Sequence, residues 1–155
     1  MSETQFTELM ETIATQLSGK PLDAALEDFL NKKYGVDSVE FQQLSQLCIE
    51  GEAEGWLMSR EAGGVKYGRA VKPDTTAKEF SIDVVRMKDV KGPHHIHTTG
   101  EIGAIMPLEG TPLFDGRGAG WYVYKPGSDH HPTVSGGDAH VLYLLPNGSI
   151  EFTGK

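Results

Sequence analysis

The sequence predicts a mainly β protein with an N-terminal helical segment: helices over residues 1–54 and a small β-barrel over residues 55–155, together forming one domain. Three observations lead there. Apolar residues recur at helical steps through the first fifty positions. Near Gly51 the chain changes to short apolar segments punctuated by glycine. Five of the six histidines then fall between His94 and His131, with the sixth at His140.

Phe6, Leu9, Met10, Ile13, Ala14 and Leu17 make one apolar stripe, with Ser2 and Gln5 as a capping box and Gly19 as the stop. Pro21 suits the first turn of a second helix that buries Leu22, Leu26, Phe29 and Leu30 and ends at Gly35. A third, capped by Asp37 or Ser38, buries Phe41, Leu44, Leu47 and Cys48. Strands are expected at Trp56 to Ser59 and Tyr67 to Val71 around a Gly63-Gly64 turn, then from Phe80 to Val84, where apolar residues alternate with Ser81 and Asp83. Further strands fall at His94 to His97, Ile102 to Met106, Trp121 to Lys125 and Val141 to Leu145, with a flexible loop at Gly116 to Gly120.

Fourteen Lys and Arg against 22 Asp and Glu give a net charge of −8, which repels phosphate backbones and anionic membranes, so neither nucleic acid nor a membrane is an expected partner. Cys48 stands alone, which excludes an intrachain disulfide. Its apolar stripe beside Glu50, Glu52 and Glu54 makes it a core residue rather than a nucleophile. Met1 to Lys20 lacks the pattern of a signal peptide and no apolar run approaches the roughly 18 residues of a spanning helix, so the cytoplasm is the expected location. A homodimer is compatible with the sequence but not specified by it.

The histidines carry the chemistry. Residues two apart in a strand share a face, so His95 and His97 point inward together while Ile96 points away. Glu101 has the same parity but follows a turn at Gly100, so its carboxylate reaches the same point after a bend. His-x-His-x-x-x-Glu offers borderline nitrogen donors and one hard oxygen, which suits one divalent transition metal (iron, zinc, manganese or nickel) rather than calcium. A fourth ligand is expected past the Pro126-Gly127 turn at His130, with His131 and His140 as rivals. Of the two adjacent histidines only one can face inward.

The runs Gly92 to Glu101 and Pro126 to His130 resemble the two motifs of the cupin superfamily. That resemblance implies a cupin-type β-barrel, a jelly roll, in which His95, His97, Glu101 and His130 share one metal. The usual spacing of the second motif would select His131; a Pro-Gly-Ser-x-His-x-Pro variant, completed here by Pro132, selects His130. A narrower resemblance, to the 4-hydroxylaminobenzoate lyases, runs through Gly55-Trp56-Leu57, Tyr67 to Pro73, Gly100-Glu101-Ile102, Phe114-Asp115-Gly116, Gly118 to Trp121 and Val141 to Phe152. It implies a small aromatic carboxylate as substrate, a metal acting as Lewis acid on its hydroxylamino group, and protocatechuate and ammonia as products. Arg69 would then clamp the carboxylate, with a surface strand arginine as the alternative; Glu101 would move protons; and Tyr124, in the alternating Trp121-Tyr122-Tyr124 run, would meet the ring, with core packing as the alternative. The same ligands would also serve a cupin dioxygenase or a non-catalytic metal-binding sensor.

Overall fold

A computed structural model describes residues 2–155. Three helices, α1 (Ser2–Leu17), α2 (Ala24–Lys33) and α3 (Val39–Glu54), precede nine strands. Their apolar stripes are the expected ones: Phe6, Met10, Ile13, Ala14 and Leu17 of α1 and Phe41, Leu44, Leu47 and Cys48 of α3 are buried. They share one core with Val71, Phe80, Ile82, Val84, Ile102, Leu142 and Leu144 of the strands. Burying each large apolar side chain stabilises by about 1.5–3 kcal/mol, more than the ~1 kcal/mol of a cap, so packing on the sheet fixes the helices.

The helix ends depart from expectation in two places. Ser2 forms no capping box, because its hydroxyl donates to Glu54 Oε1 at 2.5 Å. The cap of α2 is Asp23, whose carboxylate accepts from Leu26 N, which moves the start past Pro21. At α3 it is Ser38, rather than Asp37, that accepts from Phe41 N. Residues Trp56 to Ser59 are not a strand: α3 runs on through Gly51 to a left-handed Gly55, and Gly55 N and Leu57 N both donate to Gly51 O. Trp56 folds back edge-on to Phe6, 5.5 Å between ring centroids.

The strands are β1 (Arg60–Ala62), β2 (Val65–Val71), β3 (Phe80–Lys91), β4 (His95–His97), β5 (Glu101–Phe114), β6 (Gly120–Tyr124), β7 (Ser128–His130), β8 (Thr133–Pro146) and β9 (Glu151–Phe152). They form a six-stranded sheet in the order β1-β2-β3-β8-β5-β6 and a three-stranded sheet in the order β7-β4-β9, every pairing antiparallel. The fold is mainly β with N-terminal helices, as the sequence implies. Strands β5 and β8 are far longer than the sequence implies, and β7 and β9 are additional. Ser81 and Asp83 do not face solvent either, since both sides of β3 are covered at that end.

Helix α2 closes the free edge of β6. Asn31 accepts from Trp121 N through Oδ1 and donates to Trp121 O through Nδ2, both at 2.9 Å, so one amide imitates a further strand. Glu27 accepts from Val123 N two residues on. Helix α3 is tied to the other end of the sheet by Glu52, which accepts from His140 Nε2 at 2.8 Å, Arg86 at 2.9 Å and Lys66 at 3.1 Å. Arg86 also pairs with Asp138.

Burial alone would raise the Glu52 pKa, but the hydrogen bonds from His140, Arg86 and Lys66 outweigh it and hold the group at about 2, against 4.5 for a free glutamate. A carboxylate depressed on folding contributes stability above its unfolded value and loses it as the pH falls toward the folded one. Glu52→Gln should therefore cost about 2 kcal/mol at neutral pH. Denaturant melts of variant and wild type should converge between pH 4.5 and 2.

Candidate metal centre

The short sheet sets the centre. In β4 the side chains of His95 and His97 are buried and Ile96 between them is half-buried, the expected alternation. Strand β7 runs antiparallel to β4 with His130 directly opposite His95, so cross-strand register places the third imidazole on the same face. His131 lies beyond the end of β7, where its Nδ1 meets Gly92 O at 3.3 Å and its ring leans on His94. The fourth side chain comes from the first residue of β5. Between His97 and Glu101 the chain reverses at Gly100, whose φ of +90° and lack of a Cβ are both required: a methyl group there would stand 2.8 Å from Tyr124 O.

His130 Nε2 lies 2.8 Å from His95 Nε2 and 2.9 Å from His97 Nε2, and Glu101 Oε1 lies 3.0 Å from His97 Nε2. One donor atom from each of the four residues falls within 4.8 Å of all the others. Donors about 2.1 Å from a shared ion stand about 3.0 Å apart at right angles and about 3.4 Å apart in a tetrahedron. The three pairs at 2.8–3.0 Å are thus close enough for their donor atoms to share one ion.

The electrostatics suit a cation. Burial, reinforced by neighbouring imidazoles, lowers the pKa of His95 to about 4 and of His97 to about 3, so both rings are neutral with lone pairs free. Burial drives Glu101 the other way, up to about 7, although Tyr122 donates to its Oε2 at 2.5 Å. A divalent ion would supply the countercharge that this carboxylate lacks. Tyr122 reaches it because it pairs across the sheet with Gly103, where a Cβ would stand 2.1 Å from the phenol ring.

A supporting residue that sequence reasoning missed is Asp115, in the turn after β5. Burial would raise its pKa, but hydrogen bonds from His130 and Tyr124 hold it below the usual carboxylate value. Its Oδ2 accepts from His130 Nδ1 at 2.5 Å and from Tyr124 at 2.7 Å, and its Oδ1 from Thr133 N at 3.0 Å. With Nδ1 donating to Asp115, the lone pair of His130 is fixed on Nε2, toward the other ligands. The signal in the sequence was Phe114-Asp115-Gly116, which counted there only toward the family resemblance and gave Asp115 no role.

A family model of 4-hydroxylaminobenzoate lyases matches residues 8–152. The chain belongs to that family. A 4-hydroxylaminobenzoate lyase of Pseudomonas putida is 33% identical over 154 residues, covering 88% of each chain. Among solved structures, an oxalate oxidase bound to glycolate aligns with a TM-score of 0.46 at 20% identity, over 61% of this chain and 58% of that one. An RmlC-like cupin protein from Ralstonia eutropha gives 0.46 at 12% identity, over 62% and 64%.

In this member of the lyase family the quartet opens onto a cavity of about 520 Å³ lined by His95, Glu101 and His130 together with Val65, Tyr67, Val85, Met87, Phe114, Val141 and Tyr143. Arg69 is not among its lining residues. It faces a neighbouring cavity of about 380 Å³, and its guanidinium is paired with Asp83 and donates to Gly148 O. Tyr124 also stays outside the lining, stacked on His97 with its hydroxyl on Asp115. His94 is held by Asp129 and Thr153, and His140 by Glu52, which accounts for both without a ligand role.

Asp115→Asn keeps the shape of the side chain but gives up the charge facing His130. Metal titrations of the purified variant should show affinity reduced about 10–100-fold with the melting temperature little changed. An unchanged affinity would mean that Asp115 does not orient the ligand.

Proposed function

We propose that this chain is a metal-dependent lyase that converts 4-hydroxylaminobenzoate and water to protocatechuate and ammonia. The observation that carries the reading is the convergence of His95, His97, Glu101 and His130 on one face of an apolar cavity, in a chain whose family is that of 4-hydroxylaminobenzoate lyases. The overall change needs no external oxidant. The nitrogen–oxygen bond, the carbon–nitrogen bond and one ring carbon–hydrogen bond break, two ring carbon–oxygen bonds form, the ring proton passes to the departing ammonia, and the nitrogen is reduced as the ring is oxidised.

His95, His97, Glu101 and His130 would hold the metal, which when bound supplies Lewis-acid polarisation of the hydroxylamino group. Asp115 fixes the tautomer of His130. Glu101 would also move protons, with the Tyr122 hydroxyl beside its second oxygen holding the carboxyl in place. Walls built from Val65, Val85, Val141 and Phe114 keep water from the ring except where the reaction admits it.

The test is anaerobic turnover of 4-hydroxylaminobenzoate by metal-loaded protein, with ammonia and protocatechuate measured together. Equal yields are expected without oxygen. His130→Ala should lower kcat/KM by about 10²-fold or more, and His131→Ala by no more than a few-fold. Turnover that stops when oxygen is removed would instead identify a dioxygenase, and loss of metal in His131→Ala alone would move the fourth ligand by one residue.

A further inference from the structure

We propose that Lys91, at the end of β3, is the residue that recognises the carboxylate of the substrate; this rests on the lyase reading above. An aryl carboxylate entering an apolar cavity gives up hydration, and it binds well only where a cation or several donors replace the lost water. The surface offers little help, since a net charge of −8 repels anions on average.

Lys91 is the only lysine or arginine lining the 520 Å³ cavity, where it follows Val85 and Met87 along β3. Four other cations near the sheet are already committed to carboxylates of the protein: Arg69 to Asp83, Arg86 to Glu52 and Asp138, Lys66 to Glu52, and Arg117 to Glu27. Lys91 is exposed and lines the cavity, and its ammonium has no hydrogen-bond or ion-pair partner among the described residues.

The chemistry of a para-substituted ring orders these pieces. Its hydroxylamino group and its carboxylate lie at opposite ends, so a ring that directs the first at Glu101 and His130 directs the second outward. Phe114 and Tyr143 line the apolar wall beside such a ring. A lysine suits the mouth of such a cavity, because its long stem follows an apolar wall and its three donors adapt to a carboxylate at a partly wet entrance.

The experiment compares benzoate with benzamide, its neutral isostere, by calorimetric titration into metal-loaded wild type, Lys91→Met, Lys91→Arg and Arg69→Met. Wild type should prefer benzoate by about tenfold or more, a margin suited to a partly exposed charge pair. Lys91→Met should erase that preference with metal content and benzamide affinity unchanged, while Lys91→Arg and Arg69→Met keep it. In turnover, Lys91→Met should raise KM for 4-hydroxylaminobenzoate about tenfold with a much smaller change in kcat.

The proposal is overturned if Lys91→Met retains the preference for benzoate, as it would if the carboxylate bound the metal directly, or if Arg69→Met abolishes it. A preference that depends on Lys91 in a protein that releases no ammonia would retire the lyase reading and leave the carboxylate site standing.

Discussion

Two imidazole nitrogens held within 2.9 Å of a third, beside a carboxylate that is 2% exposed, form the constraint on which the rest of the site depends. In a dry pocket each unpaired polar group costs about 1–3 kcal/mol. His130 Nε2 is a single acceptor facing two other ring nitrogens, so hydrogen bonds alone serve this cluster poorly. A shared cation uses all three lone pairs and the carboxylate charge at once. The surrounding choices then follow from one requirement: Asp115 fixes a tautomer, Tyr122 steadies the free oxygen of Glu101, and Gly103 and Gly100 leave room for the ring and the turn.

The two sheets divide this labour. The small one delivers His95, His97 and His130 through the register of β4 against β7, in which a slip of one residue would turn His131 inward and His130 outward. The large one supplies Glu101 and, through β3, β5 and β8, the apolar wall of the cavity. Helices α1 to α3 cover the other side of the large sheet and take no part in the quartet. Their charged attachment, Glu52 with Arg86, Lys66 and His140, is a separate network whose carboxylate is held ionised by its partners, whereas burial keeps Glu101 near neutrality. One chain thus places a half-buried and a fully buried carboxylate in opposite electrostatic surroundings.

Much of this was legible in the sequence because it depends on local period. Helical stripes gave α1 and α3, and strand parity gave His95 and His97. What the sequence left open depends on partners distant along the chain. His130 was preferred over His131 on motif resemblance, but its place opposite His95 comes from strand pairing, and Asp115 is identified by the atoms it touches fifteen and nine residues away. Arg69 has the chemistry of a clamp, but Asp83, its neighbour across β2 and β3, occupies it. Trp56 to Ser59 read as a strand because an apolar run after a glycine resembles one, yet those residues complete the end of α3. No helix among the described residues is long and apolar enough to cross a membrane.

The central claim is that one metal ion joins β4, β5 and β7 through three imidazoles and one carboxylate. X-ray absorption spectroscopy on purified protein, with metal content measured on the same sample, tests it most directly. The account predicts one ion per chain, with three imidazole nitrogens and at least one carboxylate oxygen at about 2.0–2.2 Å. A protein that binds no metal, or whose ion shows fewer than three imidazoles, would contradict it.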